Sequence, residues 1–468
     1  MPTTLTPPRA PETPILGSFV PFAQDPPRFL HQLAQNHPTA DLIHFTFLGI
    51  NNYLILNPDL VREVLVNRAS EFPKSQRDYG ILSKFLGDGL VTAEGEQHRR
   101  QRKLAQPAFH HKRIAAYGDT MVDYAADMVA EWQAGETRDI AHEMYQLTLY
   151  IVAKTLFDAD KSRMVEVADK VGQAIHVLQE VTNHDFRRPI QWPQWLPTAD
   201  NRARQGAKGV LDETIHTIVD ERRQQETADK GDLLSMLLLA RDDDGKGMDD
   251  TELRDQLVTI FVAGHETTSN ALSWTWYLLS QNPTAEAKLH AELDEVLDGR
   301  LPTLADLPNL PYTQMVIKEG MRLYPPAWTL TGRTATATTT LGNYTIRQGA
   351  DLMVAPYVLH RNPTIFPEPE RFDPERFTAE REKELPRYAY IPFGAGPRVC
   401  IGNSFAMMEA QLIIATVAQR FRLRLAADQR VEMNAQITLS PLDGLRMVVE
   451  ERARNSQRQP HLTAELAY

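Results

Sequence analysis

The period of the apolar residues changes several times along the 468-residue chain. Two short runs, 43–48 and 53–56, flank Gly49, Asn51 and Asn52, which predicts a β-hairpin. From about 58 to 300 apolar positions recur at helical intervals, with breaks at Pro73, Pro107, 189–197 and the acidic turn 242–247. One stretch is longer than the rest. Residues 251–281 hold no proline, Asp249 or Asp250 can cap their start, and Asn282 and Pro283 end them. At a rise of 1.5 Å per residue such a helix is about 45 Å long and crosses a whole domain. Its centre reads Ile260-Phe-Val-Ala-Gly-His-Glu-Thr-Thr-Ser269, and glycine, acid and hydroxyls in otherwise apolar surroundings call for an explanation. Segment 335–356 turns to Thr, Val and Tyr with interspersed Gly, which predicts a small sheet, and a proline-rich, helix-poor segment follows at 362–377. After a glycine-rich loop at 393–402, helical spacing returns through Phe405, Met408, Leu412, Val417 and Phe421. The pattern predicts a mainly α protein with small β-sheets.

The ends differ from this body. Residues 1–27 contain Pro2, Pro7, Pro8, Pro11, Pro14, Pro21, Pro26 and Pro27 and predict an extended surface arm. Residues 451–468 are polar and predict a loosely held tail, leaving 28–450 as the catalytic body. No segment reads as a signal peptide or a membrane anchor, so a cytoplasmic protein is expected. The net charge of −11 argues against nucleic acid as a partner, because phosphate binding needs a basic surface. A single cysteine excludes an intramolecular disulfide, so Cys400 is a free thiol or a metal ligand.

Cys400 stands in the run Phe393-Gly-Ala-Gly-Pro-Arg-Val-Cys400-Ile-Gly402. The glycines allow a tight turn and close approach to another group. The helix expected directly afterwards places Cys400 near a positive N-terminal end, where dipole and free amides favour a thiolate. A lone cysteine is ordinarily a small buried hydrophobe. Zinc would require several Cys or His ligands where the loop offers one. A nucleophilic cysteine would need a histidine base, and His360 and His265 are remote in sequence. One thiolate suits haem, whose porphyrin supplies four further donors.

The loop matches F-x-x-G-x-R-x-C-x-G at all its fixed positions and here the chain resembles the cytochrome P450 family, the haem-thiolate monooxygenases, from about residue 20 to 450. The resemblance implies that fold, with the long central helix crossing the domain over a buried heme b. Ala263-Gly264-His265-Glu266-Thr267-Thr268 is similar to the family's oxygen-activation motif. It implies room for dioxygen at Gly264, a hydrogen bond from Thr267 to the oxygen, and proton relay from solvent by Glu266. A zinc-protease reading fails, since Ser269 stands where the second histidine would. Glu319 and Arg322, spaced i,i+3, resemble a pair that joins an arginine to brace the cysteine loop. Arg376 is favoured for that arginine by its spacing to Cys400 and the preceding Phe372-Asp373, with Arg371 as the decoy. His98 and Arg102, together with Arg333 and Arg398, match donors to the haem propionates, and Phe393 the aromatic at the loop's start. Four donors converging from distant segments imply a single domain.

The substrate pocket implied by the resemblance draws on Tyr79, Leu82, Phe85, Phe261, Ala263, Ala327, Thr329, Leu330 and Ser440, with the 175–195 region. This mostly apolar lining suits a fatty acid, terpenoid, steroid or similar ligand. Between Gln97 and Gly118 no acidic residue occurs, while Arg99, Arg100, Lys103, Lys112 and Arg113 do. The segment is either a solvated helix face or a docking site for an acidic electron carrier. No flavin or iron–sulfur segment is evident, so a ferredoxin- or flavodoxin-type donor with its reductase is expected, delivering electrons to a monomer. A peroxide-driven haem-thiolate enzyme and a gas-binding haem protein are the competing readings. The intact Glu266–Thr267 pair counts against both.

Overall fold

The computed structural model describes residues 5–158, 161–224 and 230–452, with side chains excepted over 161–168. The long helix runs Asp250–Gln281. Asp249 caps it by accepting from the Glu252 amide at 2.8 Å, and Glu252 accepts in return from the Asp249 amide at 3.3 Å. Its two halves lie in different hydrophobic cores. Leu253, Leu257, Ile260 and Phe261 pack with Leu149, Leu156, Ile175 and Leu211 in one. Ala271, Leu272, Trp276 and Leu279 pack with Ile317, Leu412 and Ile413 in the other. The polar centre, 263–270, lies where the helix passes from one core to the other. That placement explains how glycine and hydroxyls are tolerated mid-helix, since Gly264, Thr267 and Thr268 face a cavity, while the acid, Glu266, is held by hydrogen bonds from Thr438 and Gln179.

Helix Ile140–Phe157 packs along the central helix on one side. Helix Asn403–Ala418 packs on another, buried on every face from Met408 to Ala418 and correspondingly apolar all round. The hairpin forms between Leu42–Phe47 and Ile50–Ile55, turning at Leu48 and Gly49. Strand Asp351–Val354 joins it in parallel register, Asn52 opposite Asp351, and Arg333–Thr334 pairs antiparallel on the far side. This four-stranded sheet brings Arg333 to the cavity. A short strand that the pattern did not predict, Thr137–Asp139, pairs with Arg446–Glu451, which also pairs with Phe421–Leu425.

Both termini correct the sequence expectation. Residues 5–13 do run extended, but bonded to the hairpin and followed by a turn at 14–16: the Ala10 amide donates to His44 O at 2.9 Å, and the Ser18 amide donates to Thr46 O at 2.8 Å. From Phe19 the chain is helical, as Phe19–Gln24 and Pro26–Asn36. Asp25 caps the second helix through the Arg28 amide, and proline at its first position fits the missing donor there. At the other end Arg452 is buried and donates to Ala418 O at 3.0 Å, so the fold continues through 452. The rest of the expected tail, 453–468, lies outside the described residues. Among the described residues no helix is long and apolar enough to cross a membrane.

Candidate active site

A cavity of about 600 Å³ lies between the centre of the long helix and the cysteine loop. Cys400 and Phe393 line its floor and Ala263, Gly264, Thr267 and Thr268 its roof. The loop closes through the Cys400 amide donating to Phe393 O at 2.9 Å. Gly394 and Gly396 take φ of +71° and +68°. A Cβ on Gly396 would come within 2.0 Å of Leu65 O, so this position admits only glycine. Cys400 opens onto the cavity and is otherwise surrounded by protein. Burial raises the thiol above its ordinary value, against smaller opposing pulls from the Gly402 amide and Arg102. The expected stabilisation by the following helix, Asn403–Ala418, is therefore outweighed by desolvation. A metal cation bound to the sulfur would favour the thiolate against that desolvation.

The cavity's other notable wall is basic. Lys74, His98, Arg102, Arg333 and Arg398 all line it. Glu94 forms an ion pair with Arg398 at 2.9 Å and lies 3.8 Å from Lys74. Arg398 Nη1 is buried without a partner. Desolvation, then the neighbouring Arg398 and Lys74, lowers His98 to about 3, and desolvation lowers Lys74 to about 7. These five donors outnumber Glu94 and the two carboxyls that line the same cavity, Asp78 and Asp351, which leaves a demand for anions. Two haem propionates would meet it, and with the Cys400 thiol as the single sulfur donor on the same cavity the residues fit haem. Arg102 also donates to Val399 O at 2.7 Å, tying the propionate wall to the loop. Lys74 was missed from sequence, where a single lysine after a proline carries no signal.

The brace is fully formed. Arg322 donates from Nε and Nη2 to Glu319 at 2.6 and 2.8 Å, and both side chains are 0% exposed. Arg322 further donates to His360 O and Pro369 O at 3.0 and 2.7 Å, and Glu319 accepts from the Asp373 amide at 2.8 Å. Arg376 Nε stands 3.4 Å from Glu319, whereas the Arg371 side chain points outward to Glu368. The link to the cysteine loop is His360, whose Nε2 accepts from the Ile391 amide at 2.9 Å. Desolvation, then the nearby Arg322, lowers His360 to about 3, so it stays neutral and keeps that lone pair.

Around the roof the structure refines the expectation. The helix is unbroken at Gly264, where an added Cβ would sit 3.0 Å from Val152 Cγ2. Thr267 Oγ1 donates back to Ala263 O at 2.7 Å. Glu266 does not line the cavity: it turns away, accepting from Thr438 Oγ1 at 2.6 Å and from Gln179 Nε2. Desolvation raises its carboxyl, against those two hydrogen bonds. A second carboxyl, unforeseen, lies on the next helix. Glu409 is 0% exposed, and burial raises it to about 8 against a pull from Thr268. Its signal was present in the sequence as one acid within the apolar run after the cysteine loop.

Of the expected pocket residues, Leu82, Ala263, Ala327, Thr329 and Leu330 line the cavity. Tyr79, Phe85, Phe261 and Ser440 do not. On helix Gln76–Leu86 the inward face runs through Asp78, Leu82 and Leu86, which sends Phe85 into the protein core and leaves Tyr79 bonded to Asp88 at 2.6 Å. The helical period likewise turns Ile260, Ala263 and Thr267 inward and Phe261 outward, against Phe157. Ser440 pairs with Asn434 in a strand, and the turn before it contributes Gln436 and Ile437 instead. The 175–195 region supplies Asn183, Phe186 and Arg187.

The basic segment is corrected too. Arg100 is held by Asp242 at 2.6 Å and Glu252 at 2.8 Å, and Lys103 by Asp243 at 2.5 Å, while Arg99 pairs with Glu96. Glu96 stands just before the segment on the same helix, and Asp242, Asp243 and Glu252 come from elements outside it, which the local charge count could not register. Lys112 and Arg113 are exposed. The segment does lie on the thiolate side, with the Phe109 ring set against Gly402.

A thiolate donor opposite an acid–alcohol helix, with a basic wall for two carboxylates, defines a haem-thiolate oxygenase site. The cytochrome P450 family model matches residues 7–444, and the chain belongs to that family, whose activity is monooxygenation with a haem cofactor. Cyclooctatin synthase of Streptomyces melanosporofaciens is 40% identical over 94% of this chain and 94% of its own. Cyclooctat-9-en-7-ol 5-monooxygenase of the same organism is 41% identical over 88% of each, and pentalenene oxygenase of Streptomyces avermitilis 34% over 91% and 93%. The crystal structure of the cytochrome P450DA heme domain superposes with a TM-score of 0.86 at 28% identity, covering 96% of this chain and 99% of that one.

Proposed function

We propose that this enzyme hydroxylates or epoxidises a terpenoid, using heme b and electrons from a ferredoxin- or flavodoxin-type donor with its reductase, as a cytoplasmic monomer. The observation that carries the reading is the apolar lining above Cys400, from Leu82, Leu86, Val152, Leu156, Ile260 and Leu330, which suits a hydrocarbon skeleton. The relatives named for cyclooctatin and for pentalenene, both terpenoids, support the same class. Heme b is supported by the residues present: the one cysteine faces the cavity as ligand, leaving no second thiol for a thioether link.

When bound, the haem supplies the iron at which dioxygen is activated for insertion into a C–H bond. The chain holds it with Cys400 Sγ and with Lys74, His98, Arg102, Arg333 and Arg398 toward its carboxylates. Above, the Thr267 hydroxyl rotates from Ala263 O to donate a proton into the cavity. Glu409, raised by burial to about 8, holds a proton beside Thr268, and burial shifts Glu266 in the same direction. A panel of terpene hydrocarbons, supplied with a ferredoxin and its reductase, is expected to yield mono-oxygenated products. Thr267→Ala is expected to divert most of the reductant to peroxide, read as the ratio of product to NADPH consumed. Unchanged coupling would remove Thr267 from the proton path, and absence of products across the panel would overturn the terpenoid class.

Electron delivery on the thiolate side is proposed to use Arg99, Lys103, Lys112 and Arg113, without Arg100. Replacing Arg99 and Lys112 with glutamate is expected to slow reduction by the ferredoxin roughly tenfold at low salt, less at high salt. Arg100→Glu is expected instead to lower the thermal midpoint, since it places a third carboxylate between Asp242 and Glu252. Salt-independent reduction rates in the double variant would move the docking face elsewhere.

A further inference from the structure

Two amides stand out in the apolar part of the cavity. Asn183, on helix Lys161–Arg187, and Gln436, in the turn between strands Met433–Ala435 and Leu439–Pro441, both line it. They bond to one another, Asn183 Nδ2 donating to Gln436 Oε1 at 2.8 Å. Among the described residues Asn183 Oδ1 and Gln436 Nε2 have no hydrogen-bond partner, and neither is sealed inside protein. The pair therefore offers one acceptor and one donor side by side. Exchanging N and O in both amides leaves the same set, so the conclusion does not depend on amide orientation. By contrast, Thr155, Thr267 and Thr268 in the same lining donate back to carbonyls of their own helices.

The pair is rigidly mounted. The Gln436 carbonyl accepts from Trp328 Nε1 at 2.9 Å, and its amide donates to Thr438 O at 3.0 Å. Thr438 is bonded to Glu266 and Asn270 of the central helix. Asn183 follows by four residues Gln179, which holds the other oxygen of Glu266. One helical turn, about 6 Å along the axis, thus separates the amides from the contact that flanks Thr267. An entirely hydrocarbon ligand would leave donor and acceptor unpaired against it, at a cost; a hydroxyl, itself donor and acceptor, satisfies both.

We propose that Asn183 and Gln436 form a subsite for a hydroxyl already present on the terpenoid, so that the enzyme acts after another oxygen-introducing step. That step is an earlier C–H hydroxylation or a cyclisation ended by water capture of the carbocation. The proposal rests on the terpenoid reading above and sharpens it. Its test uses the haem-loaded full chain and two matched probe pairs, ent-kaurene with ent-kaurenol and cedrane with cedrol, titrated by the shift of the Soret band. In at least one pair the alcohol is expected to bind at least about tenfold tighter than its hydrocarbon, since a site built for a hydroxyl discriminates strongly against its absence. Asn183→Leu and, separately, Gln436→Leu are expected to bring that ratio to about one, with the thiolate-type carbon monoxide spectrum reporting that each variant has folded around haem. Equal affinities in the unsubstituted enzyme, or a ratio retained in both folded variants, would overturn the subsite while leaving the terpenoid reading standing. No shift with any of the four probes would overturn the terpenoid reading and the subsite with it.

Discussion

Cys400→Ala is expected to give a folded chain whose product formation is at background and whose reduced, carbon monoxide-treated form lacks the red-shifted Soret band of thiolate ligation. The fold survives because the loop is closed by the backbone, through the Cys400 amide and Phe393 O, and by Gly396 against Leu65, neither of which uses the thiol. The chemistry does not survive. Among the described residues there is no cluster of His, Cys, Asp or Glu able to hold a metal ion in its place. Haem would still be drawn by the basic wall, so Cys400→His is expected to retain it with a histidine-type spectrum and little oxygen insertion, because the thiolate's electron donation is gone. A thiolate-type band persisting in Cys400→Ala would overturn the assignment of Cys400 as ligand.

Arg322→Leu is expected to be the most destabilising single change in the site, lowering stability by roughly 3–5 kcal/mol, the usual cost of removing one partner of a buried ion pair. Glu319 would remain buried, keeping only the Asp373 amide at 2.8 Å and the more distant Arg376 at 3.4 Å. The carbonyls of His360 and Pro369 would lose their donor as well. Because His360 in turn accepts from the Ile391 amide, slackening reaches the cysteine loop, and haem content should fall along with the denaturation midpoint. Arg371→Leu is the control: its side chain is outward and exposed, so the change should stay within about 0.5 kcal/mol. Chemical denaturation together with the haem-to-protein absorbance ratio decides it. A loss under about 1 kcal/mol for Arg322→Leu would mean that the brace does not support the loop.

Much of this site was legible because its parts are local. The cysteine loop is ten consecutive residues, the acid–alcohol motif six, and the Glu319–Arg322 pair a single helical turn, so each shows in the chain without knowledge of the fold. The choice of Arg376 over Arg371, made under the resemblance from the spacing to Cys400 and the preceding Phe372-Asp373, agrees with a structure that sets Arg376 beside Glu319. The long helix announced itself through its length, its capping acid and its terminating proline.

What failed were readings that needed a direction in space. Phe261 is as apolar as Ile260, and only the rotation of the helix against its neighbours lets Ile260 reach the cavity from the core that both share while Phe261 does not. Arg100 belongs to a run without acids, yet Asp242 and Glu252 arrive from more than a hundred residues away to neutralise it. Glu266 was readable as a carboxylate beside Thr267, but its partners Gln179 and Thr438, which turn it from the cavity, were not. For Cys400 the sequence by itself determined the loop, the ligand type and so the family chemistry, since those depend on residue identity at short fixed spacing. The tertiary structure alone decided that burial works against its thiolate, which cations gather around the cavity, and which amides line it, because desolvation and pairing arise only when distant segments close around a shared space.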